Sequence, residues 1–416
     1  MNNSQGYKQT DIWETPDEWE VISLSGGAYF INGFPFKPSD WKKSGLPIVR
    51  IQNLNNFSAQ FNYYDGEIGE EYILKDGDLL LSWSASLGVY IWNRGKAVLN
   101  QHIFKVVPYD KVDKLFLYYI AHKAVEDLKK RVHGSTMRHF KKRELDATLI
   151  LLPPLPEQWK IASILSTVDD AIQKTDEIIA KTQQLKKGLM QQLLTKGIGH
   201  TKFKRTEIGE IPEDWYVEKL ANLLDEPIKN GYSPRSPLFE TGKWILTLGA
   251  LTNDGLKTDR IKSAPLNDSK VDKCKLKEDD LLISRSNTRE LVGYAALYHG
   301  IPTNCSYPDL MMRIRVNKTI INNSFLEYWL RHSYSRRYLT SNARGTSGTM
   351  VKINRSILSE LLIPIPPLSE QKDISARLKT LDEKATSEKW LKEKLECLKK
   401  GLMQVLLTGK VRVKVN

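Results

Sequence analysis

The chain has 416 residues, 41% hydrophobic and 27% charged, a balance that suits roughly two to four globular domains and excludes a disordered chain. No run of about 18 apolar residues occurs, which excludes a membrane-spanning helix, and the opening "MNNSQGYKQTDIWETPDEW" has no apolar segment of the signal-peptide kind. A formal charge of +13 and an isoelectric point near 9.3 point to a polyanionic partner, because Lys and Arg displace counterions condensed on nucleic acid.

In chain order, the first signal is "PDEWEV" (Pro16 to Val21), where Trp19 anchors a turn into a strand. "NGFPFKPSDWKK" from Asn32 is a basic loop. "GLPIVRIQNL", "GDLLLSW" and "KAVLNQHIFKVVP" are β-formers set between Gly, Asn and Asp punctuation. The helical "KLFLYYIAHKAVEDLKKRV" from Lys114 gives way to "HGSTMRHFKKREL", a second basic loop. Together these make a mixed α/β module over 1–154.

A long helix is expected next, over 155–198. Pro153-Pro154 punctuates its start, Pro156 stands where a helix begins, and Glu157 puts negative charge in the first turn. Ile161, Leu165, Val168, Ile172, Thr175, Ile179, Thr182, Leu189 and Leu193 keep three-to-four spacing, with Lys186 interrupting, and Gly197 is a C-terminal stop. At about 1.5 Å per residue, Glu157 to Leu194 spans roughly 57 Å.

The chain then repeats itself. "PEDWYV" (Pro212 to Val217) answers "PDEWEV", Asn230-Gly231-Tyr232 answers Asn32-Gly33-Phe34, and Asp280 to Ser284 answers Asp78 to Ser82. "GTMVKIN" (Gly348 to Asn354) faces "GSTMRHF" (Gly134 to Phe140). These offsets drift, so the second module, 199–367, carries insertions. From Pro366 the offset settles at 213: Pro153–Thr195 and Pro366–Thr408 share 20 of 43 positions without a gap, ending in "KKGLMQQLLT" and "KKGLMQVLLT". Gap-free matching marks a length that matters.

In the second helix, over 368–416, Ser369 takes the place of Pro156, and Ile374, Leu378, Leu381 and Ala385 keep the phase. Leu391, Leu395, Leu398, Leu402 and Val405 resume it after a one-residue stutter, and Gly409 is the stop. Two equal amphipathic helices favour each other as an antiparallel coiled coil, with the modules at opposite ends. Gly188 and Gly401, costing about 1 kcal/mol each in helix propensity, are expected to permit close approach to the sister helix or to a docked subunit.

Catalytic motifs are missing. No Pro-Pro-aromatic methyltransferase loop and no G-x-x-x-x-G-K-[ST] phosphate loop occurs, and His102, His133, His139 and His332 form no metal-binding spacing. "PEDWYVEK" superficially suggests a nuclease acid cluster, but its sister copy lacks the lysine, so a structural turn explains both. Cys274, Cys305 and Cys397 suit a reducing cytoplasm and match neither a zinc site nor a disulfide framework.

Matching loops in the two modules remain. Asn32, Gly33 and Lys37 correspond to Asn230, Tyr232 and Arg235. The loop of Ser82, Trp83, Ser84 and Ser86 corresponds to the loop of Arg285, Ser286, Asn287 and Arg289, with Trp83-Ser84-Ala85 against Arg285-Ser286-Asn287. Ser135, Thr136, Arg138, His139 and Lys141 correspond to Arg344, Thr346, Ser347 and Lys352. Such loops suit DNA: glycine lets backbone approach phosphate, cations contact phosphate or guanine, and Asn reads adenine.

Two variable modules, each followed by a "PPLPEQWKIA…LKKGLMQQLLT" or "PPLSEQKDIS…LKKGLMQVLLTGKVRV" segment, resemble the DNA-specificity subunit of a type I restriction-modification system. The resemblance implies an α/β (α+β) architecture with two target recognition domains, two long antiparallel coiled-coil helices and a pseudo-two-fold repeat. Each domain would read one half of a split, asymmetric site in double-stranded DNA. The helices would fix the spacer, so that four added residues lengthen it by about 6 Å, one or two base pairs. They would also dock two adenine-N6 methyltransferase subunits through Glu157, Gln158, Gly188, Leu189, Met190, Glu370, Gln371, Gly401, Leu402 and Met403. Restriction subunits would join that core. The chain itself would hold no catalytic residue, metal or cofactor; S-adenosylmethionine, ATP and Mg would serve the partner subunits, in the cytoplasm. The alternatives are a DNA-independent coiled-coil scaffold and a methyltransferase with an unrecognised catalytic site.

Overall fold

A computed structural model describes residues 6–10, 14–84, 86–131, 146–345 and 350–415. The chain divides into two compact units: Met1–Asp176 with Trp390–Asn416, and Glu177–Lys389. Each holds one mixed α/β module together with the first part of one long helix and the last part of the other. The long helices are Leu155–Lys196, called central here, and Leu368–Leu406, called distal. Among the described residues no helix is long and apolar enough to cross a membrane.

In the first unit an antiparallel sheet runs in the order Ala28–Asn32, Ile103–Pro108, Leu79–Ser82, Gly88–Ile91. A second sheet runs Asn62–Tyr64, Leu46–Val49, Ala97–Leu99, Ile73–Leu74, its middle pair parallel. Glu20–Ser23 pairs with Leu149–Leu152 beside the helix start. Trp19 is fully buried among Phe116, Leu117, Ile161, Leu165, Leu406 and Leu407. The core thus takes the start of the central helix and the end of the distal one.

The second unit repeats this plan. Its main sheet runs Leu224–Asn230, Met311–Val316, Asp280–Ser284, Ala295–Tyr298. Trp244–Leu246 pairs parallel with Cys305–Ser306, and Tyr216–Lys219 pairs with Leu362–Ile365. Trp215, fully buried, sits with Leu193, Leu194, Phe325, Trp329, Ile374 and Leu378. Both tryptophan turns close on the same bond, from Trp19 N–H to Pro16 O and from Trp215 N–H to Pro212 O.

Each helix start is clasped by its Glu-Gln pair. Gln158 donates to Pro153 O (2.8 Å) and Lys111 O (3.0 Å) and accepts from Asp113 N–H (2.8 Å). Gln371 donates to Pro366 O (2.8 Å) and Ile320 O (3.0 Å) and accepts from Asn322 N–H (2.7 Å). Asp113 and Asn322 in turn cap the module helices Lys114–Arg131 and Asn323–Arg331. Glu157 accepts from the Trp19 indole (2.9 Å) and from the Arg412 guanidinium (2.8 and 2.9 Å). Glu370 accepts from the Trp215 indole (3.0 Å) and Ile198 N–H (2.8 Å) and meets the His200 ring nitrogen at 2.8 Å. Each glutamate therefore joins the start of one long helix to residues just past the end of the other.

Inside each unit the two helices run antiparallel. Asp169 meets Lys399 at 2.5 Å and Asp176 meets Lys392 at 2.7 Å in the first, while Lys186 pairs with Asp382 in the second. Burial along the central helix falls on Leu165, Val168, Ile172, Thr175, Ile179, Thr182, Lys186, Leu189 and Leu193, an unbroken heptad seam. Lys186 continues the stripe that it was expected to interrupt. Along the distal helix the seam is Leu378, Leu381, Ala385, Glu388, Lys392, Leu395, Lys399, Leu402 and Leu406. The expected stutter is absent, and Leu391 and Leu398 are exposed. A lysine stem can lie in an apolar seam while its ammonium reaches a facing carboxylate, so the seam lysines keep the phase that an aliphatic count loses.

The repeated motif's first lysine completes a triad in both units. Asp382 accepts from Lys186 and from the Tyr328 hydroxyl (2.9 Å), and the ammonium lies 5.6 Å from that ring. Asp169 takes Lys399 and Tyr119 (2.7 Å), with the ammonium 5.5 Å from the ring. Burial first, then the facing carboxylate, raises the pKa of both phenols, and burial, aided by Arg331, lowers that of Lys186.

Candidate nucleic-acid interface

The loops following Leu224–Asn230 and Asp280–Ser284 meet at one end of the second module's sheet. Ser233 Oγ donates to Asp309 Oδ1 (2.5 Å), and Asp309 O accepts from the Arg285 guanidinium (3.1 Å). Ser286-Asn287 pairs antiparallel with Val351-Lys352, and Arg344 bridges to Lys352. The sequence-predicted Tyr232, Arg235, Arg285, Arg289, Arg344 and Lys352 thus lie on joined loops, and all but Tyr232 and Arg285 are exposed. Arg336, which sequence reasoning passed over, braces the group: it lies 4.3 Å from the Tyr294 ring and donates to Val292 O and Glu290 O.

In the first module the described residues at the corresponding end include an aromatic group packed against the core. Trp83 stands 5.5 Å from His102 and 5.9 Å from Phe104, and Phe104 meets Phe30 edge-on at 5.8 Å. Asn32 and Lys37 are exposed at its edge, and Ser86 is half-buried. Ser135, Thr136, Arg138, His139, Lys141, Thr346 and Ser347 lie outside the described residues.

Burial corrects several expectations. Ser82 is fully buried and donates to Ser86 O (2.6 Å); Ser84, Ser286 and Asn287 are buried too, and Asn287 Oδ1 accepts from Thr288 N–H (2.9 Å). In this structure their side chains are buried and shape the loops. Gly33 and Gly231 serve the chain's own packing: a Cβ on Gly33 would lie 2.2 Å from Asn100 O, and one on Gly231 would lie 2.2 Å from Pro308 O.

The proposed docking residues divide in the same way. Glu157, Gln158, Glu370 and Gln371 face inward and are spent on the clasps. Leu189 and Met190 pack against one module core, and Leu402 and Met403 against the other. Gly188 and Gly401 are exposed, with nothing within 4 Å of an added Cβ, so close approach to the sister helix is not their purpose. Three residues before each stands an exposed leucine, Leu185 and Leu398, that sequence reasoning did not single out as an outward group.

Some of the buried polar atoms without a hydrogen-bond partner among the described residues lie at the loop ends. Asn230 Oδ1, Ser236 Oγ and Ser286 Oγ lie there in one module, Gln101 Oε1 and His102 Nδ1 in the other. Buried groups of this kind call for a water, an ion or a ligand group to complete them. No cluster of three or more His, Cys, Asp or Glu suited to a metal ion occurs among the described residues.

The sequence matches the type I restriction modification DNA specificity domain twice, over residues 16–184 and 212–397. It is 32% identical over 440 residues to the putative type I restriction enzyme MjaX specificity subunit of Methanocaldococcus jannaschii, covering 99% of this chain and 97% of that one. Identity to the MjaVIII specificity subunit of the same organism is 30% over 437 residues, with the same coverage. The fold is shared with the solved S subunit of a type I restriction-modification system from M. genitalium, with a TM-score of 0.57 at 15% identity, covering 94% of this chain and 96% of that one.

Proposed function

The chain belongs to the type I restriction-modification DNA specificity family, and from that premise we propose that its two modules each read one half of a split, asymmetric DNA site. The observation that carries this is the contrast between copies: one strand plan, one set of clasps and, just past matching strands, Trp83 in one module where Arg285 stands in the other. An arginine at that place suits phosphate and guanine, while in the other module the exposed Asn32 suits adenine. The two half-sites therefore differ in sequence.

In this proposal the paired helices set the spacer and dock two adenine-N6 methyltransferase subunits, through which restriction subunits join. Leu185 with Gly188 and Leu398 with Gly401 support two like docking places, since each pair is exposed at the same turn of its helix. Catalysis, S-adenosylmethionine, ATP and Mg belong to the partners.

Duplex binding measured across a salt series, with and without the methyltransferase subunit, tests the proposal. We expect affinity to fall steeply with salt and to rise when the partner is present. Salt-independent binding would favour a scaffold. Methyl transfer by the purified chain with S-adenosylmethionine alone would favour a hidden active site.

A further inference from the structure

We propose that the second module carries an apolar wedge, Leu238 with Phe239, that enters the base stack of duplex DNA; this rests on the DNA-reading function above. Leu238 is fully exposed and Phe239 is 67% exposed, two large apolar side chains in succession at the tip of the loop 231–243.

The loop that presents them is held at both ends. Ser233 is bound to Asp309, Thr241 Oγ1 donates to Ala264 O (2.6 Å), and the Lys243 ammonium meets Asp272 (2.8 Å) and Leu266 O (2.6 Å). Pro234, buried, and Pro237 fix two backbone angles between those anchors. An apolar tip kept in water by a braced loop is prepared for a partner.

The surroundings name that partner. Arg235 is exposed on the same loop, and Asp309, which holds Ser233, also holds Arg285. The unsatisfied Asn230 and Ser236 atoms lie in the strand end and loop just before the tip. Cations for phosphate beside an apolar tip are the combination by which proteins unstack and kink a base step. The corresponding loop of the first module exposes Trp41 beside Lys42 and Lys43, with the Arg50 guanidinium 5.0 Å from its ring.

The test uses the full chain with its partner subunits. The probe is a duplex carrying the site found by methylation mapping, with 2-aminopurine at successive non-methylated positions of the second module's half-site. Wild-type protein should raise the fluorescence several-fold at one step. Leu238→Ser/Phe239→Ser should abolish that rise and weaken Kd about tenfold, as lost base–side-chain stacking does, with an unchanged melting temperature. Leu238→Met/Phe239→Trp should keep it. Arg235→Ala/Arg285→Ala should weaken binding while the bound fraction still shows the rise.

A serine double variant that keeps the rise or the wild-type Kd, while the arginine variant loses affinity, overturns the wedge and leaves DNA reading standing. A double variant that changes only assembly with the partner subunits also overturns it, making the tip a protein contact. If wild-type protein binds no duplex, DNA reading fails and the wedge with it.

Discussion

Where each module meets the long helices, the two halves of the chain repeat most of their contacts; where its sheet ends in loops, they differ. At the helix side, Glu157 and Glu370 each hold a tryptophan indole and a basic side chain, Gln158 and Gln371 each tie two carbonyls and one N–H, and Asp169 and Asp382 each hold a lysine and a tyrosine. At the loop side, Trp83 stands in one module where Arg285 stands in the other. A duplicated chain is its own control: groups kept in both copies hold the structure together, and groups that differ are free to read different partners.

The largest effect should come from the clasps. Glu157→Ala leaves the buried Trp19 indole N–H without its acceptor and Arg412 with Glu18 alone, and should cost about 3 kcal/mol, read as a fall in denaturation midpoint. Glu370→Ala should cost somewhat less, because it releases an imidazole in place of a guanidinium. A midpoint unchanged in either variant would break the comparison.

One difference on the helix side should appear as pH dependence. His332, stacked on Trp329 (4.9 Å) and 3.0 Å from Gln191 Oε1, has its pKa pushed down to about 4 by burial. The unfolded chain takes up a proton there near pH 6.5 that the folded chain refuses. This contribution is therefore complete above that pH and is lost as pH falls toward 4, by up to about 3 kcal/mol. His332→Asn should flatten the slope between pH 6.5 and 4 relative to wild type. Parallel wild-type and variant melting curves across that window would refute the assignment.

The seam should respond next. Asp382→Ala should cost about 2 kcal/mol, while Lys186→Leu/Asp382→Leu should return close to wild type, since a paired charge replaced by packing is often neutral. The smallest stability effect belongs to the loops: Arg285→Ala should change stability by less than about 0.5 kcal/mol yet reduce the salt slope of DNA binding by about one.

Much of the fold was legible because the chain writes it twice. The tryptophan turns, the strand pairs and the helix starts at Leu155 and Leu368 follow from matched words in the two halves. What Glu157 does was not legible: a carboxylate in a first helical turn reads as a dipole charge, and the Arg412 that buries it lies 255 residues away. Lys186 read as an interruption because a count of aliphatic residues misses its stem. At the loop ends, Ser286 and Asn287 looked like readers on residue type alone, but burial depends on strand pairing with Val351 and Lys352, which one stretch of sequence does not disclose. Gly33 likewise answers to Asn100, a neighbour only in the fold.

The central claim is that two modules read two different half-sites at a spacing set by the helices. Its most direct test maps adenine methylation in the DNA of a host that makes this chain with its methyltransferase subunit. The native chain is compared with one carrying seven extra residues at matching points in both helices, a full heptad that preserves the seam. We predict a split, asymmetric motif whose halves stay unchanged while the spacer grows by about three base pairs, the reach of roughly 10 Å of added helix. An undivided or symmetric motif, or a spacer that does not change, would contradict the account.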